Sequence, residues 1–106
     1  MKNSAIDNKI VEIIRGIKEP EKVVLFGSRA RGDARSTSDI DIAVFGKDWT
    51  DQDLNGARHL LEEEVKTPLK FDLINFYAVS NPRLKKNIET TGRVLYESGK
   101  NQGIIR

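Results

Sequence analysis

Residues 39 to 45 read DIDIAVF, an alternation that places Ile40, Ile42 and Val44 on one side of an extended chain and Asp39, Asp41 and Ala43 on the other. A strand of this kind must bury one face. Its other face then holds two carboxylates whose Cα atoms stand roughly 6.6 Å apart with parallel side chains. Paired carboxylates need protons or cations, and this requirement constrains the chain more than any other single feature. A further acid, Asp72, interrupts the apolar run LKFDLINF at 69 to 76, the third strand in the chain.

The flanking segments complete an α/β pattern. Ile6, Ile10, Ile13, Ile14 and Ile17 recur at helical spacing, so a helix is expected over 4 to 17 with Ser4 as cap, and Pro20 closes it. Lys22 to Phe26 is a short β-branched and aromatic run ending at Gly27, a buried strand. Thr50 with Asp53 has the spacing of a helix cap, and Leu54, Ala57, Leu61 and Val65 mark one face of a helix over 51 to 66, stopped by Pro68. Asn81 and Pro82 open another helix in N-cap and N1 order, with Leu84 and Ile88 inward and Gly92 as its stop. Arg93 to Glu97 is a last strand at a sheet edge.

The expected fold is α/β in composition (α+β in arrangement), a small mixed sheet with helices mainly on one face. The 11-residue link between the first two strands is short for a parallel crossover. With 106 residues, one domain over 1 to 97 and a tail over 98 to 106 are expected, the tail carrying Ile104 and Ile105 as docking groups.

Composition narrows the chemistry. There are no cysteines, which excludes disulfides, zinc–thiolate sites and thiol nucleophiles. The net charge of +2 comes with no long basic block, so direct nucleic-acid binding is not expected. No run approaches the roughly 20 apolar residues of a membrane span, and the expected location is the cytoplasm.

Gly27 and Ser28 end the first strand at a turn into a short helix, where backbone N–H groups favour anions. Gly27 lets a phosphate approach closely, Ser28 offers a hydroxyl, and Arg29 and Arg31 supply positive charge. Arg31 suits either a phosphate or open solvent, as does Arg35. Ser38 suits either a phosphate or its own turn. Mg²⁺ fits the acids, because it takes hard oxygen ligands from one or two carboxylates and from substrate phosphates. If the strands of Asp72 and Asp41 are neighbours, three acids can serve two metals. A calcium loop starting at Asp39 fails, with Val44 at its glycine position and Thr50 at its glutamate position; a P-loop fails for want of Gly-Lys-Ser/Thr. His59 lies off its helix's apolar stripe, Glu62 to Glu64 form a solvated face, and Trp49 either plugs the core edge or stacks on a purine.

Gly27-Ser28, ten residues, then Asp39-Ile40-Asp41, with Asp72 on the following strand, resembles the signature of minimal nucleotidyltransferases in the DNA polymerase β-like superfamily. The resemblance implies the nucleotidyltransferase fold and Mg²⁺-dependent transfer of AMP from ATP with release of pyrophosphate. By position, Asp39 and Asp41 correspond to ligands of both metals, and Asp72 to a ligand of the catalytic metal and the base. Gly27, Ser28, Arg31 and Ser38 correspond to nucleotide-binding positions. Members this short resemble the antitoxin half of two-gene modules, which silence a HEPN-domain ribonuclease toxin by adenylylating a tyrosine. A hetero-oligomer with that toxin is the implied assembly. Occlusion of the partner without chemistry, or transfer to a small molecule or RNA, are the alternative functions.

Overall fold

The computed structural model describes residues 5–27, 39–65 and 70–98. Helix α1 (Ala5–Ile17) leads into β1 (Lys22–Phe26), followed by β2 (Ile40–Phe45), α2 (Asp51–Glu64) and β3 (Phe71–Asn75). A single 3-10 turn (Phe76–Ala78) then precedes α3 (Pro82–Thr91) and β4 (Arg93–Glu97). The sheet runs β3-β2-β1-β4, with β1 antiparallel to both neighbours and β2 parallel to β3. The short β1–β2 link thus joins antiparallel strands, while α2 makes the crossover that a parallel pair requires. The sheet is mixed, as its sequence suggested.

Two layers follow from the alternation in the strands. Val23 and Leu25, Ile40, Ile42 and Val44, and Phe71 and Leu73 point to one side and are buried beneath α1 and α2, against Ile10, Ile14, Leu54, Ala57 and Leu61. Each such side chain removed from water is worth about 1.5–3 kcal/mol. Val24, Phe26, Ala43 and Phe45 point to the other side, where Phe76 and Ile88 pack on them with Leu84 and Ile74. Two of the three described helices therefore share a face. Among the described helices only α3 lies on the second face, and the acids emerge there.

Local chemistry sets the boundaries. Thr50 Oγ1 accepts from the Asp53 N–H at 3.1 Å while the Thr50 N–H donates to Asp53 Oδ2 at 3.0 Å, a reciprocal cap. Lys18 donates to the same carboxylate and to the Asp48 carbonyl, both at 2.8 Å, tying α1 to the start of α2. Replacing Thr50 with Ala is expected to cost about 1 kcal/mol, read as a lower denaturant midpoint with an unchanged m-value. The Asn81 side chain accepts from the N–H groups of Arg83 and Leu84, and Pro82 occupies the first turn, where its missing N–H is harmless. Buried Asn75 closes β3: its amide donates to the carbonyls of Gly46 at 2.8 Å and Trp49 at 3.1 Å, and its oxygen accepts from the Tyr77 N–H.

Several expectations need correction. Ile6 is 43% exposed, and Asp7 is buried in its place. Arg93, on the edge strand β4, holds the Asp7 carboxylate at 2.9 Å, so an ion pair displaces the apolar stripe in the first turn of α1. α2 ends at Glu64, because Val65 is already extended as its cap. β3 stops at Asn75, whose side chain turns the backbone into the 3-10 turn at Phe76. Gly92 ends α3 in an extended conformation at φ −72°; a Cβ there would meet Val24 Cγ1 and the Ile88 carbonyl. Close packing, not left-handed backbone, requires that glycine. Ser4 and the tail beyond Ser98 lie outside the described residues, and Ser98 itself donates to the Glu21 carbonyl at 2.8 Å. No described helix is long and apolar enough to cross a membrane.

Candidate active site

Asp41 and Asp72 are direct partners across the parallel β2–β3 pair, in register with Ile40–Phe71 and Ile42–Leu73. Neighbouring strands stand about 4.8 Å apart, so the two carboxylates leave the sheet side by side on one face. Asp39 lies just before β2, two residues from Asp41. On the other flank, Phe26 pairs with Asp41, and Gly27 follows as the last described residue of that segment. The three acids and the glycine therefore meet at one end of the sheet, where β1 finishes and β2 and β3 begin.

The described ionisable residues at this corner are acidic and repel one another. Burial, then the neighbouring Asp72, then Asp39 push the Asp41 carboxyl above its usual range. Among the described residues, no cation pairs with this half-buried carboxylate between two others. The donor set consists of oxygens only, which suits a hard divalent ion of the Mg²⁺ kind. Among the described residues, no three His, Cys, Asp or Glu side chains are gathered tightly enough to close on one ion. The carboxylates share a face and a field, with Asp41 and Asp72 nearest in register.

Gly27 has φ +81°, and a Cβ built on it would stand 2.5 Å from Asp41 Oδ2. The glycine at the strand end is thus required twice over, by its backbone and by the carboxylate it faces. The sequence pointed to a close approach at Gly27, but assigned it to a phosphate; the contact with Asp41 depends on the β1–β2 register, which no local pattern encodes. Ser28, Arg31 and Ser38, with Arg29 and Arg35, lie outside the described residues. Trp49 is 5% exposed within the layer under α1 and α2, so it is a core residue and no platform for a base. His59 and Glu62 to Glu64 are exposed on α2, away from the acids.

Comparison with known proteins agrees with this architecture. The family model described as polymerase beta, nucleotidyltransferase matches residues 8–101. The chain is 33% identical over 93 residues to the protein adenylyltransferase MntA of Shewanella oneidensis, covering 85% of this chain but only 64% of that protein's length. A relative from Methanocaldococcus jannaschii is 35% identical over 79 residues, 74% of this chain and 79% of its own. Among solved structures, a toxin-antitoxin with AMP-PNP superposes with TM-score 0.74 at 23% identity, covering 92% of this chain and 78% of that one. A tri-AMPylated Shewanella oneidensis HEPN toxin in complex with MNT antitoxin gives TM-score 0.69 at 22% identity, with coverages of 93% and 76%. At such identities the structural likeness speaks to the fold, and the family rests on the sequence match across most of the chain. The chain belongs to the polymerase beta nucleotidyltransferase family.

Proposed function

We propose that this protein is the antitoxin of a two-gene module and transfers AMP from ATP to a tyrosine hydroxyl of a HEPN-type toxin. The observation that carries the reading is the facing pair Asp41 and Asp72, joined by Asp39 beside the positive-φ Gly27. It is supported by the names of relatives: the Shewanella protein is called an adenylyltransferase, and one structural neighbour is an antitoxin in complex with an AMPylated HEPN toxin.

In this reading Asp39, Asp41 and Asp72 hold Mg²⁺, with two ions in the full site. The metal supplies charge neutralisation at the phosphates and lowers the cost of forming the nucleophile. Gly27 and Ser28 seat the triphosphate, with Arg31 and Ser38 as further phosphate contacts. Asp72 takes the proton from the acceptor tyrosine, whose hydroxyl has an unperturbed pKa near 10. The tyrosine oxygen bonds to the α-phosphorus, the bond from that phosphorus to the bridging oxygen of pyrophosphate breaks, and pyrophosphate departs. The chain's own described tyrosines are unprepared for that role. Tyr77 and Tyr96 donate their hydroxyls to Glu21 and Glu19, which raises both above the ordinary phenol range.

The test is the cognate toxin incubated with this protein, ATP and Mg²⁺. Mass spectrometry is expected to find the toxin heavier by AMP on a tyrosine. Asp72→Asn is expected to abolish the gain while the two proteins still co-purify. A toxin that pairs with wild-type protein yet keeps its mass after long incubation overturns transfer and leaves neutralisation by occlusion.

A further inference from the structure

Phe26 is the last residue of β1 and lies directly opposite Asp41, which in turn lies opposite Asp72, so a ring, a half-buried carboxylate and an exposed one form a row across three strands. Cross-strand partners on one face hold their Cβ atoms about 4.5–5.5 Å apart, close enough for a phenyl ring to flank a carboxylate. Phe26 is only 7% exposed although it ends its strand, and it belongs to the apolar cluster of this face with Val24, Ala43 and Ile88. The row explains why the two acids differ. Asp72 stands on an edge strand of the described sheet and is exposed. Asp41 has hydrocarbon on two sides: Phe26 on its β1 flank, and fully buried Ala43 two residues behind it on β2.

Those two neighbours close the directions in which the Asp41 side chain could lie down on the sheet. What stays open is the flank that carries Asp72 and the end of the sheet, where Asp41 Oδ2 comes so near Gly27 that a Cβ there would be 2.5 Å away. We propose that Phe26 is a positioning residue for metal binding: its ring holds the Asp41 carboxylate upright at the sheet end, where it and Asp72 can share a divalent ion. The inference rests on the metal-dependent transfer reading and adds to it a residue that touches neither metal nor nucleotide. A phenyl ring suits this task, because it is rigid and offers the carboxylate no hydrogen bond that would draw it away from the ion. Groups that fix the orientation of a metal ligand commonly matter about 10- to 100-fold in metal affinity.

Mn²⁺ takes the same oxygen ligands as Mg²⁺, and its binding to the full chain without nucleotide is read directly by electron paramagnetic resonance. Phe26→Ala is expected to weaken Mn²⁺ about tenfold, and Phe26→Leu, which keeps more of the bulk and so more of the fold's stability, about threefold. AMP transfer should fall in step. Val24→Ala is the control. Val24 belongs to the same strand, face and cluster but lies opposite Ala43, so its truncation should lower the melting temperature and leave Mn²⁺ affinity unchanged. All affinities are taken well below each variant's melting temperature. Wild-type Mn²⁺ affinity in the folded Phe26 variants overturns the inference alone. An equal loss in Val24→Ala also overturns it, because any softening of the face would then loosen the site. A wild-type protein that binds no Mn²⁺ overturns the metal reading and this inference with it.

Discussion

Asp41→Asn is expected to lower AMP transfer about 10²- to 10³-fold and, in the absence of divalent ions, to raise the melting temperature at neutral pH. The two effects have one origin. Asp41 is half-buried and shares its face with Asp72 and Asp39, and burial and repulsion together raise its carboxyl above the usual range. Removing charge stabilisation aimed at a reacting phosphate commonly costs two to three orders of magnitude, about 2.7–4 kcal/mol. The same charge is unfavourable to the fold. A carboxyl whose pKa is higher in the folded than in the unfolded state binds more protons when folded, so stability falls as pH rises from the unfolded pKa, near 3.8, through the raised folded one. Above that window the full penalty is present, and below it the penalty is gone. Thermal melts in a chelator should therefore show Asp41→Asn above wild type at pH 7, with the gap closing towards pH 3.5. Adding Mg²⁺ should raise wild type more than the variant, because the ion relieves the repulsion that the amide lacks. A variant no more stable than wild type at pH 7 without metal would mean that the carboxylate is well solvated or paired, and the corner would lose its electrostatic argument.

Much of this corner was legible because its information is local. Alternation in DIDIAVF fixed which residues of β2 face the core, and Thr50 with Asp53 fixed where α2 begins, since a strand's period and a helix's cap each involve only a few consecutive residues. The neighbour relation of Asp41 and Asp72 could be framed only as a condition, because register between strands 31 residues apart depends on how the α2 crossover docks. The Asp7–Arg93 pair was illegible for the same reason. Asp7 drew no reading from the sequence, because Arg93, the partner that holds it, lies at the other end of the chain.

Gly27→Ala is expected to destabilise the fold by about 2 kcal/mol and to cut ATP affinity and transfer together. A left-handed backbone alone costs a residue with a Cβ roughly 1–2 kcal/mol, and Gly27 sits at φ +81°. The new methyl would also lie 2.5 Å from Asp41 Oδ2, so the carboxylate must swing away from the position it holds opposite Asp72. Backbone strain and carboxylate displacement are separable by a double-mutant cycle. In an Asp41→Ala background the oxygen is absent, and Gly27→Ala should then cost only the backbone share, giving a coupling of about 0.5–1 kcal/mol between the two positions. Denaturant melts of the four proteins supply the cycle. Additive costs would show that the methyl never presses on Asp41, and any loss of ATP binding in Gly27→Ala would then come from the turn itself. A clear coupling with lost transfer ties the glycine to the acid it faces: the close packing of β1 against β2 that excludes a side chain at position 27 is also what sets the orientation of the carboxylate at position 41.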